Sequence, residues 1–159
     1  MNIYIASPLF SQMECRYNAY MVEQIRQTYP QVSVYLPQEQ IAINDKEAYA
    51  DSTFIAKYDT DALLNSQLLI AVLDGATIDA GVATEIGVAY QAGIPILGLY
   101  TDSRQQGATN PEKLAALKEI AESQFSYVNL YTVGIVKLNG EVLDSEAALI
   151  EKIKTYLHE

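Results

Sequence analysis

The 159-residue chain has one histidine, one cysteine and no tryptophan. The histidine, His158, is the penultimate residue. Its isolation removes Ser-His-Asp and Cys-His catalysis, and any metal site built on imidazole. Cys15 has no intramolecular disulfide partner and reads as a small core hydrophobe. Basic residues are scarce, 10 Lys and Arg against 20 Asp and Glu, for a formal net charge of −10. Such a chain is poorly equipped to displace counterions from nucleic acid or to bind an anionic membrane surface. The longest apolar stretch is broken by Glu85, Gln91 and Pro95 and falls short of a membrane span. The turn Ala6-Ser7-Pro8-Leu9-Phe10 lacks the glycines of a phosphate cradle, which counts against nucleotide cofactors. It also lacks the acidic pair with which a response-regulator receiver holds magnesium, so Asp74 is not read as a phospho-acceptor. No cofactor and no metal are expected. Any acid, base or nucleophile is then a carboxylate.

Half of the residues are hydrophobic and 19% are charged, as in an ordinary globular chain. The length suits one domain spanning residues 1–159. Met1 leads straight into the strand-like NIYIAS, with no charged leader before an apolar segment, so a cytoplasmic protein is expected. Buried strands are predicted at 2–7, 68–73 and 94–100, with a shorter one at Val32–Leu36 stopped by Pro37. Helices are predicted at 10–28, at 51–65 behind an Asp51 or Ser52 cap, at 80–93 ending on Gly93, and from Pro111. Residues 38–50 and 101–110 read as loops. Val133–Lys137 and Glu141–Leu143 read as strand around an Asn139-Gly140 turn, and Asp144-Ser145-Glu146 caps a last helix to about residue 157. Strands alternating with helices predict an α/β fold, a flavodoxin-like doubly wound sheet of five parallel strands with helices on both faces. Ligands of such sheets lie at the carboxyl ends of the strands, beside loops 6–10, 37–50, 74–81 and 101–110.

One charge stands out. Between Asp79 and Asp102 the only charged side chain is Glu85, in a segment otherwise made of small, apolar and uncharged residues. An ionised carboxylate there is costly unless paired or hydrogen-bonded, and such a group marks a site candidate. Its alternative is an exposed position on the helix, although Gly81, Val88 and Ala92 at helical spacing leave little polar surface around it. Asp79 reads equally as a helix N-cap or as a site acid. Asp74 also falls at the ligand edge. Phe54, Tyr58, Asp61 and Asn65 form one helical stripe that could turn Asp61 inward, against the common alternative of an exposed acid. Tyr4, mid-strand, is either plain core or a buried phenol needing a partner, for which a carboxylate is suited. Phe10 is core or an aromatic platform at a pocket mouth.

These residues form a pattern. The chain resembles the nucleoside 2-deoxyribosyltransferase family over nearly its whole length. The resemblance is carried by IYIASPLF at 3–10, Arg16-Tyr17-Asn18 with Tyr20, Tyr35-Leu36-Pro37, Asp79-Ala80-Gly81-Val82-Ala83-Thr84-Glu85-Ile86-Gly87, and Tyr127-Val128-Asn129-Leu130-Tyr131. It implies Glu85 as nucleophile, Asp79 as the acid that protonates the leaving base, and Asp61 as a supporting acid. Tyr4 would hold the nucleophile and Phe10 would pack on the base. Asn129 would reach into the neighbouring subunit's site of a homo-oligomer and bind the sugar. Tyr131 stands where the family can have Met, and Ala6-Ser7-Pro8 replaces a Gly-rich turn. Gln38 and Gln40 compete for a base-contacting role. Ser7, Asp74 and Gly81 complete the expected substrate-binding set.

The implied reaction transfers 2-deoxyribose between nucleobases by double displacement through a deoxyribosyl-glutamate, with deoxynucleosides and free bases as substrates. Two alternatives remain. A 2′-deoxynucleoside 5′-monophosphate N-glycosidase would use the same glutamate with Ser7 near the phosphate. A non-catalytic nucleoside- or nucleotide-binding protein would keep the fold and lose the chemistry.

Overall fold

The computed structural model describes residues 1–45, 49–123, 125 and 127–157. His158 and residues 46–48 of the expected 38–50 loop lie outside the described residues. The strands are β1 (Asn2–Ala6), β2 (Ser33–Tyr35), β3 (Leu68–Val72), β4 (Ile96–Leu99) and β5 (Gly140–Leu143). They form one sheet in the order β2-β1-β3-β4-β5 with every pairing parallel, the doubly wound arrangement expected from the sequence. The helices are α1 (Gln12–Thr28), α2 (Ile41–Asn44), α3 (Ser52–Leu64), α4 (Ala80–Gln91), α5 (Pro111–Ala116), α6 (Leu130–Leu138) and α7 (Glu146–Ile153).

Strand alternation divides the core in two. Ile3, Ile5, Ile70 and Leu97 point to the face covered by Met21, Val22 and Ile25 of α1 and Leu149 and Ile153 of α7. Tyr4, Ala6, Leu69, Ala71 and Ile96 point to the opposite face, under Leu63 of α3, Val82, Ile86 and Ala89 of α4, and Val133 and Val136 of α6. Because both faces are covered, β3 and β4 are apolar along their whole lengths, and β1 is buried throughout after its exposed first residue, Asn2.

Three expectations fail locally. Residues 133–137 are not a strand but part of α6, which begins where the Asn129 side chain accepts the Thr132 N–H at 3.0 Å. Val133 and Val136, three apart, bury one helical face against the sheet, and this packing overrides their β-branched preference. Asn139-Gly140 is accordingly no hairpin turn. Asn139 Nδ2 donates to the Ile94 carbonyl at 2.6 Å, and Gly140 opens β5, parallel to β4. A Cβ at Gly140 would collide with the Ile96 carbonyl, so glycine there reflects close strand approach rather than turn geometry. Inside the expected 38–50 loop, residues 41–44 form the single turn of α2.

Gly98 of β4 is a second close approach. A Cβ there would lie 2.9 Å from Leu73 Cδ1 and 3.2 Å from Val136 Cγ1. Gly98→Ala is expected to lower unfolding stability by about 1–3 kcal/mol through overpacking, read from the urea midpoint at unchanged slope. An unchanged midpoint would mean that α6 yields more readily than a packed helix should.

Candidate active site

The strand order reverses at β1 and β3, and the loops leaving their carboxyl ends open a crevice at that edge. After β1 comes Ser7–Phe10. After β3 the chain passes Asp74 and enters α4 behind Asp79. Asp79 Oδ1 accepts the N–H groups of Gly81 and Val82 at 2.9 and 3.1 Å, the N-cap of α4. The cap reading of Asp79 therefore holds, its Oδ2 lies outside the cap, and the side chain also lines the crevice.

Glu85 lies one turn into α4, between the sheet-facing Val82 and Ile86. Tyr4 reaches it from the middle of β1, its hydroxyl donating to Glu85 Oε1 at 2.6 Å. Tyr4 is wholly buried, so its ring belongs to the core and its oxygen to the site. Parallel register sets Tyr4 beside Tyr35 of β2, and the rings stack with centroids 5.1 Å apart at 16°. Tyr35 then donates to Asp59 Oδ1 at 2.7 Å. Two stacked phenols thus hold two carboxylates from two helices.

Asp59 is a cavity-lining acid that the sequence did not reveal. Asp61, expected to turn inward, does not: it is exposed on α3 and paired with Lys57 at 2.5 Å. The helix is phased by its Asp51 cap and by Leu63, which enters the core. Ile55 and Asp59, at four-residue steps back from Leu63, face the crevice instead. The stripe Ile55–Asp59–Leu63 was the available signal.

Asp59, Asp79 and Glu85 line one cavity of about 300 Å³. Leu9, Phe10, Pro37, Ile43 and Ile55 supply an apolar wall, and Ser7, Gly81 and Asn44 complete the lining with Val82. Phe10 is 80% exposed, so it lies at the mouth and not in the core. Burial pushes the Glu85 carboxyl up to about 7, the Tyr4 hydroxyl opposes that rise, and the charges of Asp59 and Asp79 add to it. Burial also raises Asp59, against the Tyr35 hydrogen bond. Tyr4 and Tyr35 are both pushed up, first by burial and then by the carboxylates they serve, which keeps them protonated donors.

The remaining expected residues lie elsewhere. Gln38 does not line the cavity: its Nε2 donates to the Cys15 carbonyl at 2.8 Å and its Oε1 accepts from Asn18. Gln40 Nε2 donates to the Leu36 carbonyl, and Gln40 too is absent from the cavity lining. Asp74 clamps the loop after β4, accepting the Thr101 N–H at 2.7 Å, the Thr101 hydroxyl at 2.7 Å and the Asp102 N–H at 3.1 Å. It borders a neighbouring hollow that shares Ser7 and is absent from the lining of the Glu85 cavity. Asn129 caps α6 and lines a separate hollow with Tyr127 and Ile78, while Tyr131 is exposed. Within one chain, neither meets Glu85. Among the described residues no cluster of three or more His, Cys, Asp or Glu is placed to hold a metal ion, and no helix is long and apolar enough to cross a membrane.

Comparison with known proteins agrees with this fold. Residues 3–145 match the family model for nucleoside 2-deoxyribosyltransferase. The chain belongs to the nucleoside 2-deoxyribosyltransferase family. It is similar to the crystal structure of a conserved protein from Enterococcus faecalis V583, with 65% identity over 99% of each chain and a TM-score of 0.93. A 2-desoxiribosyltransferase from Leishmania mexicana shares 23% identity over 98% of this chain and 99% of its own, with a TM-score of 0.66. The CMP N-glycosidase BcmB of Clostridium botulinum shares 17% identity over 99% of this chain and 100% of its own, with a TM-score of 0.52. These last two likenesses concern the fold. No curated protein matches the sequence.

Proposed function

We propose that residues 1–159 act as one functional domain that transfers 2-deoxyribose between nucleobases, with Glu85 as nucleophile. The reading rests above all on the Glu85 carboxylate held by Tyr4 in a cavity with apolar walls and two further acids. Glu85 attacks C1′ while Asp79 Oδ2 gives its proton to the departing base, so the C1′–N bond breaks as the C1′–O bond forms. The sugar is then an ester of Glu85. A second base attacks C1′ from the vacated side, its N–H proton returns to Asp79, and Glu85 leaves as carboxylate. Two inversions retain configuration. Asp59, held by Tyr35 at the same cavity, takes the supporting role that the resemblance had put on Asp61. Phe10 at the mouth and the apolar wall keep water from the ester, which favours transfer over hydrolysis.

The second reading is N-glycosidic cleavage of a nucleotide, with water as the acceptor. What favours it is the fold likeness to a CMP N-glycosidase. Against it, the described lining residues carry three carboxylates and no Lys, Arg or His, an unfavourable field for a phosphate dianion. We further place the protein in the cytoplasm as a homo-oligomer in which Asn129 completes a neighbour's site. Exposed Tyr127, Leu130 and Tyr131 around Asn129 support an interface there.

Incubation with deoxyinosine and free adenine tests the reaction. Deoxyadenosine is expected, with little free deoxyribose. Inert deoxyinosine beside cleaved deoxynucleoside monophosphates would transfer the assignment to the glycosidase. Ligand binding without turnover of either would leave only a binding protein.

A further inference from the structure

Asn18 is a polar residue only 1% exposed, in the middle of α1 behind the crevice. Its Nδ2 donates to the Pro8 carbonyl at 3.0 Å and to Gln38 Oε1 at 3.1 Å, and its Oδ1 accepts the Ser7 hydroxyl at 2.6 Å. Gln38 is anchored in turn by Nε2 donating to the Cys15 carbonyl at 2.8 Å. Main-chain carbonyls can only accept, so Pro8 and Cys15 fix which end of each amide is oxygen. Turning Asn18 over would set its oxygen against two acceptors. Turning Gln38 over would do the same at Cys15. The polarity of the chain is therefore determined at both ends, and Ser7 must give its one proton to Asn18. Its other polar neighbour, the Pro8 carbonyl at 3.3 Å, is also an acceptor. Ser7 lines the cavity, so to a ligand there its hydroxyl oxygen can offer only a lone pair.

We infer that Ser7 is an obligate hydrogen-bond acceptor toward the ligand, its polarity set by the Cys15 carbonyl–Gln38–Asn18 relay, and that it selects an uncharged nucleoside donor group over phosphate. The inference rests on the reading of the cavity as a nucleoside site. A sugar hydroxyl or a base N–H supplies the proton that Ser7 lacks. A phosphate dianion supplies none, and meets an oxygen lone pair beside three carboxylates. Ser7 thus has the opposite polarity to that of a phosphate-binding serine, and Gln38 acts on the ligand through it while touching none.

The test is equilibrium binding at pH 8 in a Glu85→Ala background, where turnover cannot consume the ligand. Deoxyinosine, its 3′-deoxy and 5′-deoxy analogues, and deoxyinosine 5′-monophosphate are titrated with and without Ser7→Ala. Ser7→Ala is expected to weaken deoxyinosine about tenfold, the order expected for one lost hydrogen bond. The loss disappears for the analogue that lacks the hydroxyl concerned, or persists for both if the donor is the base N–H. No loss for deoxyinosine, or a larger loss for the monophosphate, overturns the inference. Asn18→Ala frees the Ser7 proton and is expected to raise monophosphate binding relative to deoxyinosine at least tenfold. A folded Asn18→Ala protein with an unchanged ratio overturns the relay, and Ser7→Ala decides the acceptor role if Asn18→Ala does not fold. Failure of the Glu85→Ala protein to bind any nucleoside sinks the nucleoside reading along with this one. Binding that ignores Ser7→Ala sinks this one alone.

Discussion

Glu85→Gln is expected to lower base exchange by at least about 10³-fold while stabilising the folded chain above neutral pH. The amide keeps the volume of the side chain and can still accept from Tyr4, but it is not a nucleophile. The gain in stability follows from linkage. Glu85 has an ordinary value of 4.5 and is raised by burial to about 7 in the fold. The folded state therefore holds this proton more tightly than the unfolded state does. Below 4.5 both states are protonated and the carboxyl carries no penalty. As pH rises the unfolded chain ionises first, and stability falls until the pH has passed about 7. The full penalty is up to about 3 kcal/mol. Urea unfolding of both proteins at pH 4 and pH 8 measures it. Glu85→Gln should match the parent chain at pH 4 and exceed it at pH 8. Equal stability at both pH values would mean that Glu85 is solvated and not a strained site group.

Tyr4→Phe is expected to move the acid limb of the rate profile upward. On the proposed mechanism exchange needs Glu85 ionised, so kcat/KM, which reports the ligand-free protein, should rise with pH through about 7 in the parent chain. The Tyr4 hydroxyl stabilises the carboxylate and holds that limb down. A hydrogen bond to a charged group contributes about 1.5–3 kcal/mol, so its loss shifts the limb by roughly one to two pH units. At pH 6 the variant should lose between about tenfold and hundredfold, with much of the loss recovered at pH 9. The ring stack on Tyr35 needs no hydroxyl and should keep the fold intact. A loss of the same size at every pH would assign Tyr4 a packing role only.

The candidate site was legible where a charge or a phenol conflicts with packing. Glu85 is conspicuous in the sequence because nothing else in its segment is charged, and that isolation is what burial raises into a site carboxyl. Tyr4 could be read as a phenol needing a partner because a strand buried on both faces has no water to offer it. Asp59 and Asp61 are both acids on one helix, two residues apart, and composition does not separate them. A rotation of about 200° around α3 does, and that rotation is set by Leu63 entering the core and by Tyr35 arriving from β2. The placement of the glutamines has a related cause: Gln38 and Gln40 each donate an amide N–H to a main-chain carbonyl brought near by folding, and neither lines the Glu85 cavity.

The sequence by itself determined the alternation of buried strands and helices, hence the parallel sheet, and the inventory in which carboxylates are the available acids, bases and nucleophiles. Those follow from hydrophobic period and residue inventory, which are local. The tertiary structure alone decided that residues 133–137 coil rather than extend, that Asp59 and not Asp61 joins Glu85, and that the Ser7 proton is already committed. Each of these depends on partners brought from other elements of the chain, and no local pattern encodes where those partners will stand.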